Sequence, residues 1–150
     1  MDLDYLKSHW ASVRQGLNAT VTKLNDSDLD ERPFPSSRTV RELLLHIAQE
    51  EIGERDHGIH RTLTAFPDAF DPSLYPDLAS IRSLLERSHQ GTVELLESLT
   101  PADLSKVIVT PWGPEYTLLE ILGHILEHEI HHRGELSLIL GLLGREGLNA

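Results

Sequence analysis

The chain has 150 residues, of which 39% are hydrophobic and 25% charged, and its formal net charge is −11. This length is typical of a single domain with one core, here residues 1–150, and the lack of cysteine excludes disulfides, thiolate metal ligands and a cysteine nucleophile. The negative charge and the scattered Lys and Arg residues argue against nucleic acid and anionic membranes as partners, which leaves small molecules and other proteins.

Four long segments carry apolar residues at helical spacing and therefore predict four helices. They span about residues 4–24, 39–63, 78–99 and 117–143. The second and the fourth each open with a Thr-x-x-Glu capping box, in which the two side chains satisfy free backbone N–H groups of the first turn. Gly144 is a natural stop for the last helix.

The connections between these helices are marked by proline and by short polar residues. Residues 25–37 are rich in Asp, Ser and Pro, and three prolines make 65–76 a second loop. A capped short turn is predicted at 100–103, and 107–116 is the one candidate extended segment, broken by two prolines. Because four helices with apolar stripes bury each other best as a bundle, the sequence predicts an all-α four-helix bundle.

Four of the nine histidines lie within nine residues of the last predicted helix. At about 100° per residue, His128 and His132 lie about 40° apart on neighbouring turns, so they can share one metal ion. Helical projection turns this pair toward the apolar arc and turns His124 and His131 toward solvent. A metal site is therefore the leading hypothesis, and a solvated surface cluster is the alternative.

A third ligand is needed, because two histidines alone leave a metal weakly held. His46 is the best candidate, since it lies at the margin of the apolar face of the second helix, although a lone histidine there is more often a hydrogen-bonded core residue. Glu50, four residues on, could orient a ligand, bind the metal or accept a proton. His57 lies roughly 16 Å further along the axis, too far for the same ion.

Three stretches of the chain resemble motifs of the DinB/YfiT-like superfamily of metal-dependent enzymes. They are Leu43–Glu50, Gly113–Leu119 and His128–Leu136. The resemblance spans most of the chain and implies a four-helix bundle with one divalent ion held by His46, His128 and His132. Glu135 departs from the family, where relatives often carry Gln after Arg-Gly, but this change removes no ligand.

The resemblance also implies a type of chemistry. A three-histidine site leaves open coordination positions, as catalytic metals do, and zinc or nickel suits neutral imidazole, with iron, manganese and cobalt as alternatives. The ion could lower the pKa of a water toward about 7 or activate a low-molecular-weight thiol. We therefore expect a divalent-metal-dependent enzyme acting on a small molecule, with thiol transfer favoured over hydrolysis.

The remaining expectations concern location and assembly. No apolar run approaches the length of a bilayer span, and the first five residues lack the basic and apolar regions of a secretory signal, so the cytoplasm is the simplest location. Family precedent and the exposed apolar helix faces favour a homodimer. Trp112 and Tyr116 would favour an enzyme if they lined a pocket beside the ion, although such aromatic residues more often pack a loop.

Rival interpretations start from Glu129. His128, Glu129 and His132 match the H-E-x-x-H pattern of zinc metalloproteases, with Glu129 as base, but Glu135 stands where the metzincin extension requires glycine. Projection instead places Glu129 and Arg133 in the apolar arc, four residues apart, where they can pair with one another as structural groups.

Two further alternatives stay open. A di-iron carboxylate bundle would use the Glu-x-x-His spacing of Glu54 with His57 and of Glu129 with His132, but the first helix offers no Glu. The chain could also be a non-catalytic metal-binding protein with a stress or interaction role.

Overall fold

The computed structural model describes residues 2–148, which form an all-α four-helix bundle with a small two-stranded sheet. The elements are α1 (Leu3–Val21), α2 (Val40–Ile52), a π-helix (Gly53–Ile59), α3 (Leu78–Ser98), β1 (Val107–Val109), β2 (Glu115–Thr117) and α4 (Leu118–Leu142). Short 3-10 helices lie at Asp26–Asp28, Pro72–Leu74 and Pro101–Ser105. Within residues 2–148, no helix combines the length and the apolar character needed to cross a bilayer.

Both predicted capping boxes are confirmed. The Thr39 hydroxyl accepts from the backbone N–H of Glu42, and the Glu42 carboxylate accepts from the backbone N–H of Thr39 at 2.8 Å. Thr117 and Glu120 make the same pair of bonds at the start of α4. These boxes fix where α2 and α4 begin, and therefore where their histidines fall along the bundle.

The end of the second helix differs from the prediction. The sequence pattern predicts a helix to about Leu63, but α2 gives way to the wider turn of the π-helix at Gly53. A Cβ atom at Gly53 would lie only 2.2 Å from Cζ of Phe66, so glycine is needed for this ring to pack against the helix. Arg61 then adopts a left-handed conformation with φ of 59°. A contact between distant residues such as this one leaves no trace in helical periodicity.

The apolar core consists of two clusters separated by polar residues. One cluster contains Leu17, Leu44, Ile81, Leu136 and Leu140, and the other contains Leu6, Trp10, Leu96, Leu122 and Ile125. Between the two clusters, all four helices carry buried or half-buried polar side chains. We call four of them, Arg14, Glu51, His89 and Glu129, the polar layer.

Candidate metal centre

Packing of α2 against α4 brings together the three histidines that the sequence singled out. Nε2 of His128 lies 3.1 Å from Nε2 of His46 and 2.9 Å from Nε2 of His132. One ligating nitrogen from each ring lies within 4.8 Å of the other two. We call these residues the three-histidine group.

The nitrogen of His132 that faces away from this group is turned toward a carboxylate. Nδ1 of His132 lies 2.5 Å from Oε2 of Glu135, one turn further along α4. A carboxylate at this place makes Nδ1 the protonated nitrogen of His132 and leaves the Nε2 lone pair directed into the group. In the sequence, Glu135 stands out only as a departure from the family, although its spacing of three residues from His132 could have revealed this contact.

The surroundings of the three-histidine group keep its rings neutral. Burial lowers the pKa of His46 to about 4, with Arg38 adding to the effect. Burial likewise lowers the pKa of His128 to about 3, with His132 adding to it. The pKa of His132 is also lowered by burial. At pH 7 the group therefore offers imidazole nitrogens rather than charges.

These nitrogens fit a divalent metal ion. Metal–nitrogen bonds of about 2.0–2.1 Å at a tetrahedral angle place two ligand atoms about 3.3 Å apart, close to the observed separations. Neutral imidazole is also the form of histidine that binds metals. The group therefore has the spacing and the protonation state that such an ion requires.

Glu50 lies beside the group and is not one of its members. Its Oε1 atom is 3.7 Å from Nδ1 of His46, which is longer than a hydrogen bond. Burial raises the pKa of Glu50. Glu50 therefore lies near His46 without a hydrogen bond to it, and its three predicted roles stay predictions.

The other histidines lie where the sequence places them. The side chains of His124 and His131 are 63% and 67% exposed, which confirms the prediction that they face solvent. His57 stays outside the three-histidine group, and its Nδ1 lies 3.0 Å from the carbonyl oxygen of Leu63.

The predicted pair of Glu129 with Arg133 is wrong. Oε2 of Glu129 accepts from Arg14 Nη2 at 2.8 Å and from Trp10 Nε1 at 3.3 Å, while Arg133 reaches the carbonyl oxygen of Val13 at 3.4 Å. Projection of α4 alone could not show that α1 supplies a buried guanidinium directly opposite Glu129.

These contacts count against both rival metal sites. Glu129 is buried in the polar layer and held by α1, so it does not occupy the position of a metalloprotease base. The di-iron interpretation needs Glu54 and His57 on the same centre as Glu129 and His132. Instead, Glu54 contacts His124 and His57 contacts a backbone carbonyl.

Two cavities lie near the three-histidine group. One of about 470 Å³ opens beside His46 and Arg38. The other, of about 290 Å³, lies between the β1–β2 hairpin, the π-helix and the start of α4, and Trp112 and Tyr116 line it. The two aromatic residues thus border a cavity, and His124 in its wall is one turn from His128.

Comparison of the sequence with protein families finds a match to the DinB superfamily over residues 9–136. The uncharacterized Bacillus subtilis protein YjoA is 26% identical over 143 residues, which cover 94% of this chain and 90% of YjoA.

Two solved structures show the same fold at lower identity. YfiT from Bacillus subtilis, described as a probable metal-dependent hydrolase with an unusual four-helix bundle topology, has a TM-score of 0.72 at 21% identity and covers 96% of this chain and 89% of its own. A mycothiol-dependent maleylpyruvate isomerase has a TM-score of 0.66 at 14% identity, and the match covers 93% of this chain and 66% of the isomerase.

Proposed function

Because the chain belongs to the DinB superfamily, and because three neutral imidazoles meet in its bundle, we propose that it is a divalent-metal-dependent enzyme acting on a small molecule. The mutual approach of the three Nε2 atoms carries this proposal. Three protein ligands leave coordination positions open to a substrate, as in catalytic rather than structural sites. The cavity of about 470 Å³ beside His46 has the size of a small-molecule site.

Each residue of the group has a distinct task in this proposal. His46, His128 and His132 would hold the ion, and zinc or nickel suits their neutral imidazoles. When bound, such an ion supplies Lewis acidity that favours the deprotonated form of a water or a thiol near neutral pH. Glu135 orients His132 through Nδ1, and Glu50, whose pKa burial raises, stands where it can exchange a proton with a substrate beside His46.

Within this class we favour transfer to or from a low-molecular-weight thiol over hydrolysis. The chain has no cysteine, so any thiol must come from a separate molecule. A mycothiol-dependent isomerase that shares the fold supports the thiol reaction, and the description of YfiT as a hydrolase supports the alternative.

Elemental analysis of the purified protein tests the metal site directly. Wild type should carry one zinc or nickel ion per chain, and His46→Ala and His132→Ala should lose it. His124→Ala and His131→Ala, which change exposed histidines of the same helix, serve as matched controls and should keep it. Stoichiometric metal in both His46→Ala and His132→Ala would refute the ligand set.

An assay then separates an enzyme from a passive metal binder. The metal-loaded protein is incubated with small thiols and an electrophilic acceptor, and in parallel with simple ester and amide substrates. Turnover that needs both the metal and the thiol supports thiol transfer, whereas turnover without a thiol supports hydrolysis. Metal binding without turnover of either kind contradicts the proposed activity.

A further inference from the structure

The cavity of about 290 Å³ between the hairpin and the π-helix is built from three elements. Trp112 and Tyr116 come from the β1–β2 hairpin, Glu54 from the π-helix, and the remaining wall from the first turns of α4. Arg61, just beyond the π-helix, donates a hydrogen bond to the carbonyl oxygen of Val109 and so ties the hairpin to the helix end. We call this space the aromatic cavity.

Close packing fixes the indole of Trp112 in the wall of the aromatic cavity. A Cβ atom at Gly58 would lie 2.9 Å from Cη2 of Trp112 and 3.8 Å from Oε2 of Glu54, so the ring and the carboxylate approach the same point of the π-helix. His57 adds a ring contact to Trp112 with a centroid distance of 6.1 Å. Trp112 nevertheless stays 43% exposed, and Tyr116 stays 40% exposed.

Glu54 lacks a close partner. Its side chain is only 13% exposed, and its one ion-pair contact is with Nδ1 of His124 at 3.6 Å, which is longer than a hydrogen bond. Among residues 2–148 no donor lies within hydrogen-bonding distance of this carboxylate. Burial raises the pKa of Glu54, because the ionised carboxylate is poorly solvated there. A positive charge nearby would stabilise the ionised form.

The charges around the aromatic cavity have one sign. Glu120 adds a second carboxylate, and the backbone N–H of Thr117 holds its pKa below the usual range. Neither Lys nor Arg is among the described residues that line the cavity. Aromatic faces combined with carboxylates attract protonated amines, through cation–π contact and through ion pairing.

We propose that the aromatic cavity binds a positively charged amino group, held between the Trp112 and Tyr116 rings and the Glu54 carboxylate. Glu54 lies eight residues after His46, or about 12 Å along the helix axis, and His124 lies one turn before His128. The ammonium group therefore lies about one to two helical turns from the three-histidine group. If the proposed function holds, the substrate carries an amine at about this distance from its reacting group. Cation binding itself does not depend on that function.

Benzylammonium and its neutral analogue benzyl alcohol test this proposal at constant ionic strength. The chain has two tryptophans, of which Trp10 is buried and Trp112 lines the cavity, so an NMR spectrum gives one indole signal for each. Titration with benzylammonium should shift the Trp112 signal with saturation while the Trp10 signal stays fixed and reports an intact core. Benzyl alcohol should bind about tenfold more weakly.

Glu54→Gln is the decisive variant, because it removes the charge and keeps the shape. It should bring the affinity for benzylammonium down to that for benzyl alcohol, whereas Glu127→Gln, at an exposed site of α4 outside the cavity, should leave both unchanged. Equal binding of the two probes, an unchanged affinity in Glu54→Gln, or no shift of the Trp112 signal would each overturn the proposal.

Titrations with zinc-loaded and chelator-treated protein keep the two proposals apart. Selective benzylammonium binding in a protein that takes up no zinc would refute the proposed function and leave the cation site standing. Stoichiometric metal without selective benzylammonium binding would refute the cation site and leave the proposed function standing.

Discussion

The polar layer and the three-histidine group both bring potential metal ligands close together, but they differ in charge. Glu51, His89 and Glu129 offer ligating atoms within 4.8 Å of one another, as His46, His128 and His132 do. In the polar layer, however, Nη2 of Arg14 already lies 2.7 Å from Glu51 and 2.8 Å from Glu129. The polar layer thus contains its own cation, whereas among residues 2–148 no Lys or Arg donates a hydrogen bond to the neutral nitrogens of the three-histidine group. Closeness of ligating residues therefore indicates a metal site only where no side chain supplies the positive charge.

Removing the cation of the polar layer should give the largest effect. Arg14→Met leaves Glu51 and Glu129 buried without a guanidinium, and loss of one partner of a buried ion pair costs about 3–5 kcal/mol. Urea unfolding at pH 7 measures this loss. Arg87→Met, at an exposed position of α3, should change the unfolding free energy by less than about 0.5 kcal/mol. An Arg14→Met variant as stable as Arg87→Met would show that the polar layer is not held by this cation.

Adding metal should stabilise the protein through the three-histidine group alone. Zinc at about 100 times its dissociation constant should raise the unfolding free energy of wild type by about 2.7 kcal/mol, because only the folded chain assembles the group. Thermal unfolding with zinc and with a chelator measures the difference. His132→Ala should lose this gain, and His89→Ala, from the polar layer, should keep it. A gain that survives in His132→Ala and disappears in His89→Ala would reverse the assignment of the two regions.

The sequence predicted the three-histidine group better than the polar layer, and the reason is geometric. His128 and His132 lie one turn apart on a helix whose start a capping box fixes, so their shared face follows from local rules. His46 was placed by its position at the edge of an apolar face and by family resemblance. The packing of α2 against α4 brings all three together, and metal ligation by them stays a prediction.

The polar layer was missed because its contacts run between helices. Nothing in the helical pattern of residues 4–24 distinguishes Arg14, and only the packing of α1 against α4 shows that it faces Glu129. The π-helix was missed for a similar reason, since the contact of Gly53 with Phe66 joins residues on either side of a turn. Helical periodicity describes each helix by itself and carries no information on its neighbour.

Acid titration of the metal-free protein should separate the two regions by pH. Burial would raise the pKa of Glu51, but its hydrogen bond to His89 and the charge of Arg14 outweigh this and lower it from 4.5 to about 2. A lowered carboxyl pKa stabilises the fold above pH 4.5, and this contribution is lost as the pH falls toward 2, by at most about 1.4 kcal/mol per pH unit. Glu51→Gln should remove this loss.

The three-histidine group should change the stability of the fold in a higher pH range than Glu51 does. The pKa of His46 is lowered from 6.5 to about 4, so its neutral form stabilises the fold above pH 6.5 and that contribution is lost as the pH falls toward 4. Burial raises the pKa of Glu129, so this carboxyl group lowers the stability of the fold as the pH rises above 4.5, opposite in sign to His46. To isolate His46, the unfolding free energy of wild type and of His46→Ala is measured at each pH, and the difference between them should shrink as the pH falls from 6.5 toward 4. A difference that stays constant between pH 6.5 and 4 would contradict it.

The smallest expected effect comes from Glu135, which joins the three-histidine group to solvent. Partners that orient a metal-bound histidine typically contribute about tenfold or more to metal affinity, but this carboxylate is 44% exposed and its charge is screened by water. Glu135→Ala should therefore weaken zinc binding by about tenfold, at the lower end of that range. Glu135→Gln should weaken it less, because an amide oxygen can still accept from Nδ1 of His132. Competition with a chromogenic chelator measures both affinities, and a Gln variant as weak as the Ala variant would mean that the charge of Glu135, rather than its hydrogen bond, supports the metal.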